Sequence, residues 1–203
     1  AEVVVVPVDG RGVLDLQALA ALLDERTVLV SVMLANNEIG TVQPVAEVAR
    51  RAHVVGALVH TDASQAVGKI PVDVAQLDVD FLTIAGHKLY APKGIGALYV
   101  RPGVTLPPLL TGGGQQSGRR SGTDPVALIV GLGRAAALAQ SWLAAGGPRR
   151  QEALRDAFVA RLRAAFPASD PADVPAASLV FFGEGVPRLP NTVALAYCGL
   201  TGS

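Results

Sequence analysis

Short apolar runs of strand length alternate with helical stretches through the first half of the chain, and this alternation limits the possible folds most. Residues 27–34, 57–61, 80–84 and 96–100 are apolar, rich in β-branched residues and of strand length, whereas residues 45–54 have helical spacing. Strands joined by helical connections form largely parallel sheets that helices cover. We therefore predict an α/β fold with a mainly parallel sheet and helices on both faces.

The charge balance favours small-molecule chemistry. Lysine plus arginine and aspartate plus glutamate both total 17, so no net charge attracts nucleic acid or an anionic membrane surface. Half of the 203 residues are hydrophobic, which is enough for a real core. Residues 126–145 come nearest to a membrane span, but Arg134 and Gln140 interrupt the stretch, and we predict a packed helix.

The two ends of the chain add two expectations. Cys198 is the single cysteine, so no intrachain disulfide can form, and the first residues lack the features of a signal peptide. We therefore expect a cytoplasmic protein. The chain opens directly on the apolar run 3–8 without a methionine, which predicts that it begins inside a fold.

A second domain is predicted near Gly146. Glycine and proline cluster in residues 102–122, which form a long loop, and the segment AAGGP at 144–148 separates two helical stretches. Strand patterns return at 178–182 and 192–197. We predict part of a large domain over residues 1–145 and part of a smaller α+β domain over residues 146–203.

Three consecutive predicted strands each end in a polar cluster. In open α/β sheets, ligands bind outside the carboxyl ends of the strands, so these clusters converge on one crevice if the strands are parallel neighbours. The clusters are Asn36-Asn37-Glu38, Asp62-Ala63-Ser64-Gln65 and Gly86-His87-Lys88.

The third cluster offers an amine and the second a carboxylate. A lysine that is partly removed from water beside a group such as His87 can act as a nucleophile toward a carbonyl and form a Schiff base. An aspartate at the neighbouring strand end can pair with the protonated nitrogen of a pyridine ring, which makes pyridoxal phosphate an electron sink. Lys88 and Asp62 would hold opposite ends of that cofactor.

Each of these residues also has a simpler interpretation. Asp62 at a strand-to-helix turn is a good cap for free amides. Asn36 and Asn37 are common turn formers, and only one of them need contact a ligand. His87 could be a histidine packed in the core, and Lys88 could be a solvated surface lysine.

Four ordered segments carry a resemblance to a known family. They are ANNEIGTVQP, HTDASQAVGKIPVD, AGHKLYAPKGIGALYV and GGGQQSGRRSGTDP. Together they closely resemble the cysteine desulfurases of the class V aminotransferase family. The resemblance implies the fold of the pyridoxal-phosphate-dependent (PLP-dependent) transferases, known as the aspartate aminotransferase type I fold. Residues 1–145 would then form part of the cofactor-binding domain.

The resemblance also implies roles for individual residues. Lys88 is implied as the Schiff-base lysine and Asp62 as the partner of the pyridine nitrogen of pyridoxal 5'-phosphate. Gln65 is implied as a donor to the phenolic oxygen of the cofactor, and Asn37 as a contact to the cofactor or the substrate carboxylate. His87 is implied to lie beside the cofactor linkage and to take part in catalysis.

The remaining implied contacts concern the phosphate group. Relatives often have a serine that donates to the phosphate where this chain has Ala85, so Ala85 and the adjacent Gly86 can offer only backbone groups. Thr123, in the Arg-Ser-Gly-Thr segment 120–123, is implied to reach the phosphate bound by the other subunit of a homodimer, in a loop shaped by residues 112–114.

Some groups of the family fall outside the chain. The resemblance implies that the loop that cradles the phosphate and the histidine that stacks on the ring precede residue 1. It also implies that the mobile loop with the catalytic cysteine and the substrate-binding arginine follow the LPNT segment at 189–192. Cys198 ends the run TVALAYC rather than lying in an exposed loop, so we do not assign it as that cysteine.

The implied activity is the conversion of L-cysteine to L-alanine, with persulfide sulfur transferred to an acceptor or scaffold protein, as in iron–sulfur cluster assembly. Two alternatives stay open. A selenocysteine lyase or a cysteine sulfinate desulfinase is similar over this region, and a catalytically silent fragment or pseudoenzyme would lack the cysteine loop.

Overall fold

A four-stranded sheet forms the centre of the chain. The computed structural model describes residues 2–166 and 179–197. The strands lie in chain order: β1 (Leu29–Met33), β2 (Leu58–Asp62), β3 (Phe81–Ala85) and β4 (Gly96–Val100). β1 and β3 pair with β2 in parallel, and β4 pairs with β3 antiparallel. The predicted α/β fold is confirmed. β4 reverses direction because its short connection from β3 cannot make the crossover that a parallel partner requires.

Three helices pack with one face of this sheet. They are α1 (Leu16–Leu22), α2 (Val45–Val54) and α3 (Val74–Leu77). Asp15 caps the N-terminus of α1, and its carboxylate accepts hydrogen bonds from the amides of Gln17 and Ala18. The main hydrophobic core joins the buried side of α2 to the strand residues that face it. Val48 and Ala52 of α2 belong to this core, as do Val59 of β2 and Leu82 of β3. This face of the sheet is closed.

The opposite face of the sheet is only half covered. Side chains alternate between the two faces of a strand, so Ser31, His60 and Thr83 share this second face. Leu29 and Leu98 are about half exposed. We predicted helices on both faces of the sheet. Within residues 2–166 and 179–197, the core contacts place α1, α2 and α3 together on the first face.

Two long helices follow the loop. α4 (Val126–Ala144) and α5 (Gly147–Ala165) meet at Gly146, which adopts a left-handed backbone with φ 73°. α4 has the length and composition of a membrane-spanning helix, which by itself is weak evidence for one. Its residues Leu132, Ala135 and Ala139 pack against a small core, whereas Val126 and Val130 are exposed. The packing that we predicted for this helix therefore holds on one side only.

The last described segment returns to the first half of the chain. β5 (Leu179–Phe182) and β6 (Ala194–Tyr197) pair antiparallel. Between them, Leu189 is buried in the main core, and its amide donates to the carbonyl of Gly40 at 2.8 Å. Part of the predicted second domain thus packs onto the first, and the boundary at residue 146 stays a prediction.

Two other expectations concern the ends of the chain. Cys198 lies outside the described residues. The apolar run 3–8, on which the chain opens, makes one described bridge, from Val8 to Leu14, and Val3 and Val5 are exposed.

Candidate active site

The three polar clusters lie at one edge of the sheet. β1, β2 and β3 are parallel neighbours, so their carboxyl ends point the same way. Asp62 is the last residue of β2 and pairs in register with Thr83 of β3. The 3₁₀ helix Gly86–Leu89 begins directly after β3 and carries Lys88. The three clusters therefore lie at the same end of neighbouring parallel strands, and their meeting in one crevice stays a prediction.

Asp62 is anchored at one side-chain oxygen and open at the other. Its Oδ1 accepts a hydrogen bond from the amide of Ser64 at 2.8 Å, and its carbonyl accepts one from the amide of Leu34. Among the described residues, Oδ2 receives no hydrogen bond. The described residues after β2 form turns rather than a helix, so one oxygen of Asp62 stabilises a local turn and the other is open to a cationic ligand.

Lys88 and His87 both lie at the surface. We expected Lys88 to be partly removed from water, but both side chains are exposed. In a helix of a single 3₁₀ turn, residues three apart share a face, and here Gly86 and Leu89 take the buried one. The two residues between them therefore point outward, where the lysine amine can reach a ligand.

Gly86 fits its place only because it has no side chain. A Cβ atom there would lie 2.7 Å from the carbonyl oxygen of Ile95 and 2.9 Å from its Cγ2. The amide of Gly86 donates to that same carbonyl at 3.0 Å. This close approach fixes the 3₁₀ helix against the chain that enters β4. Ala85, just before it, ends β3 opposite Gly96.

A cavity of about 360 Å³ lies beside Lys88. Its polar lining includes Lys88, Lys69, Gln151 and Asn191, with Trp142 adding an aromatic wall. The Oε1 atom of Gln151 is buried without a hydrogen-bond partner among the described residues. Asp62 does not line this cavity.

Sequence reasoning missed Lys69 and Gln151. Lys69 Nζ donates a hydrogen bond to Gln65 Oε1 at 2.9 Å, and the two residues are four positions apart. That spacing is a known signal for side-chain pairs on helical turns and could have indicated the contact. Nothing in the sequence marks Gln151, because α5 reaches the cavity through tertiary packing alone.

The asparagine pair divides its roles. Asn36 Oδ1 accepts hydrogen bonds from the amides of Glu38 and Ile39, so Asn36 forms the turn after β1. Asn37 is exposed. Of the two, Asn37 is therefore the one whose side chain is available to a ligand.

The glycine-rich loop is held by its own hydrogen bonds. Ser121 Oγ donates to the carbonyl of Gly113 at 2.7 Å, and the amide of Gly122 donates to Gln115 Oε1 at 3.2 Å. Gln116 and Ser117 adopt left-handed backbone, which non-glycine residues seldom do. Thr123 is exposed at the end of this loop.

Two basic side chains, His60 in β2 and Lys69 in the turn after it, have lowered pKa values. Burial lowers the pKa of His60, and the nearby charge of Asp62 partly opposes that shift. Burial also lowers the pKa of Lys69, and the positive charge of Lys88 lowers it further. Within the part of the chain that the structure describes, no group of three or more potential metal ligands occurs.

The chain is similar to one family of enzymes over most of its length. Residues 1–168 match the family described as Aminotransferase class-V. A cysteine desulfurase of Cereibacter sphaeroides is 45% identical over 192 residues, which are 95% of this chain and 46% of that protein. The cysteine desulfurase IscS of Ehrlichia chaffeensis is 50% identical over 152 residues, which are 73% of this chain and 37% of that protein. The chain thus spans less than half the length of these relatives.

Solved structures show the same likeness in three dimensions. A structure described as a NifS-like protein superposes with a TM-score of 0.83 at 40% identity, over 95% of this chain and 50% of that one. A NifS-like protein from Rickettsia africae gives a TM-score of 0.81 at 31% identity, over 94% of this chain and 50% of that one.

Proposed function

Because the chain belongs to the aminotransferase class-V family, whose members depend on pyridoxal 5'-phosphate, we propose that the complete protein is a cysteine desulfurase. It would convert L-cysteine to L-alanine and pass the sulfur as a persulfide to an acceptor protein, for instance in iron–sulfur cluster assembly. The carrying observation is that Asp62 ends β2 and Lys88 follows β3, its parallel neighbour, at one edge of the sheet. A cytoplasmic location belongs to the same proposal.

The described residues fit this cofactor chemically. Asp62 offers a carboxylate oxygen that the described residues leave open, Lys88 an exposed amine, and Gln65 an amide. Gly86, which has no room for a Cβ beside Ile95, holds the segment that carries Lys88 against the chain that enters β4. When bound, the cofactor supplies an electron sink for the substrate's α carbon.

Each residue then has a defined task. Lys88 would bind the cofactor through its amine and afterwards carry a proton to and from the α carbon of the substrate. Asp62 would keep a proton on the pyridine nitrogen through its charge. Asn37, which is exposed at the end of β1, would orient the cofactor or the substrate carboxylate, and His87 would assist proton transfer beside Lys88.

Labelling of Lys88 tests the cofactor assignment. The chain is incubated with pyridoxal 5'-phosphate, reduced with borohydride and mapped by peptide mass spectrometry. We expect the label on Lys88, and its loss in Lys88→Ala but not in Lys93→Ala, because Lys93 is an exposed lysine nearby. Absence of any label on the parent chain would support the catalytically silent fragment.

Substrate assays on the complete protein test the reaction. L-cysteine, L-selenocysteine and L-cysteine sulfinate are supplied separately, and alanine is measured. Preference for L-cysteine with transfer of sulfur to a thiol acceptor is the expected result. Preference for one of the other two would assign the protein to the lyase or desulfinase alternative.

We also propose a homodimer in which Thr123 of one protomer reaches the phosphate bound by its partner. Thr123 is exposed beside α4, where Val126 and Val130 are also exposed, and a dimer would cover such apolar surface. Mixing inactive Lys88→Ala and Thr123→Ala proteins should restore activity, because a mixed dimer has one intact site. No restoration, with dimers present, would exclude the shared site.

A further inference from the structure

Lys69 is a partly buried lysine that the proposed function leaves without a task. The sequence contains three lysines, Lys69, Lys88 and Lys93, and two of them line the same cavity. Lys93 is exposed, whereas Lys69 is partly buried in the turn that follows β2. A solvated surface role therefore describes Lys93 but not Lys69.

The position of Lys69 is costly for an isolated cation. Burial removes water from the ammonium group, and Lys88 brings a second positive charge close to it. The group that compensates is Gln65 Oε1, which accepts a hydrogen bond from Lys69 Nζ at 2.9 Å. This contact ties Lys69 to a residue of the cluster that follows β2.

The contact determines which half of the Gln65 amide can serve a ligand. A glutamine amide has an acceptor oxygen and a donor NH₂ group, and Lys69 has only donors. With Oε1 directed to Lys69, the NH₂ group is the part that can turn toward the site. The amide is then fixed as a donor, which suits an anionic oxygen.

We propose that Lys69 is a positioning residue that orients the Gln65 amide so that its NH₂ group donates to the phenolic oxygen of the cofactor. This inference rests on the proposed function for the identity of the ligand. The orientation of the amide itself depends only on the contact between Lys69 and Gln65.

A double-mutant cycle separates action through Gln65 from a direct effect. The dissociation constant of pyridoxal 5'-phosphate is measured by absorbance titration for Lys69→Met, Gln65→Ala and the double variant. We expect Lys69→Met to raise it about five- to tenfold in the parent and less than about twofold in the Gln65→Ala background. Lys69→Arg should recover much of the affinity, and Lys93→Met is the matched control. An equal effect in both backgrounds, or none in the parent, overturns the proposal.

A measurement without cofactor makes the inference independent of the activity. The ¹⁵N relaxation of the Gln65 side-chain amide reports its order on the fast timescale. We expect the order parameter to fall in Lys69→Met and to stay unchanged in Lys93→Met. An unchanged value in Lys69→Met overturns the positioning role. If that value falls but neither the parent chain nor the complete protein binds the cofactor, the proposed function fails while the orientation of Gln65 by Lys69 stands.

Discussion

The Nε2 atom of His53, near the end of α2, lies 2.9 Å from Oδ2 of Asp80, the residue before β3. The same oxygen accepts a hydrogen bond from the amide of Val59 at 2.7 Å, and Oδ1 lies 3.0 Å from Nε of Arg101, the residue after β4. The carboxylate is 5% exposed. It therefore joins α2, β2 and β4 at the edge of the sheet opposite the candidate active site.

Removal of this carboxylate should destabilise the fold strongly. Asp80→Ala leaves the buried amide of Val59 without its partner and removes one of the two carboxylates that Arg101 contacts, and we expect a loss of about 3 kcal/mol in the free energy of unfolding. Urea denaturation followed by circular dichroism measures it. Asp24→Asn changes an exposed pair with Arg26 that water screens, and it should leave the stability almost unchanged. Similar losses in both variants would contradict the joining role of Asp80.

The pKa of His60 should be below the ordinary histidine value of about 6.5, because burial disfavours its charged form. The chain has three histidines, so NMR titration can follow each of them. Asp62→Asn removes the charge that opposes the shift and should lower the pKa of His60 further. Glu38→Gln, an exposed change at the same sheet edge, is the control. A rise in Asp62→Asn would refute this electrostatic link.

Glu47 should contribute stability that disappears in acid. Hydrogen bonds from Arg50, which has the larger effect, and from Arg51 lower the pKa of Glu47 from 4.5 to about 2. A carboxyl whose pKa is lower in the folded state stabilises above the unfolded value, and the contribution is lost as the pH falls through the folded value. The stability difference between Glu47→Gln and the parent should therefore shrink between pH 4.5 and about 2. Glu25→Gln, another exposed glutamate, is the control. A difference that does not change with pH would contradict the assignment.

Gly86→Ala should disturb the segment that carries Lys88. The added Cβ would lie 2.7 Å from the backbone oxygen of Ile95, which cannot move without shifting the start of β4. We expect a loss of about 2 kcal/mol in thermal unfolding and a marked decrease in labelling of Lys88. Gly114→Ala is the matched control, because nothing lies within 4 Å of its Cβ position. Wild-type labelling in Gly86→Ala would show that the close approach is not required.

Leu189→Ala should cost far more than Leu195→Ala. Leu189 is 1% exposed within the main core, and its truncation leaves a cavity that costs about 3 kcal/mol. Leu195 is 39% exposed, and its truncation should cost less than about 1 kcal/mol. Chemical denaturation of both variants measures the contrast. Equal losses would mean that the segment around residue 189 does not complete the core.

Local patterns predicted much of this fold. Residues 45–54 form α2 with the predicted bounds, and β3 and β4 lie within one residue of their patterns, because burial on one face produces clear periodicity. The direction of β4 was not predictable from its own residues. The apolar run 3–8 resembles a strand in composition, yet no described strand pairs with it, and composition does not reveal pairing.

Some features of the candidate site could likewise be predicted from the sequence, and others could not. Asp62 and Lys88 could be predicted because each follows a strand, and strand order then places them on one edge. The exposure of Lys88 could not, because it depends on the phase of a single helical turn. The contact of Asp80 with His53 and Arg101 joins three distant segments, and each of these residues alone has an ordinary local context.

The order of the four strands has a consequence for folding. Each strand pairs with the one made just before it, so the sheet closes only short loops and can grow strand by strand as the chain is synthesised. Leu189 bonds to Gly40 from the far end of the chain, a contact of very high sequence separation. We expect the nascent chain to form the paired sheet first, with the core site of Leu189 exposed to water until the segment around residue 189 is synthesised.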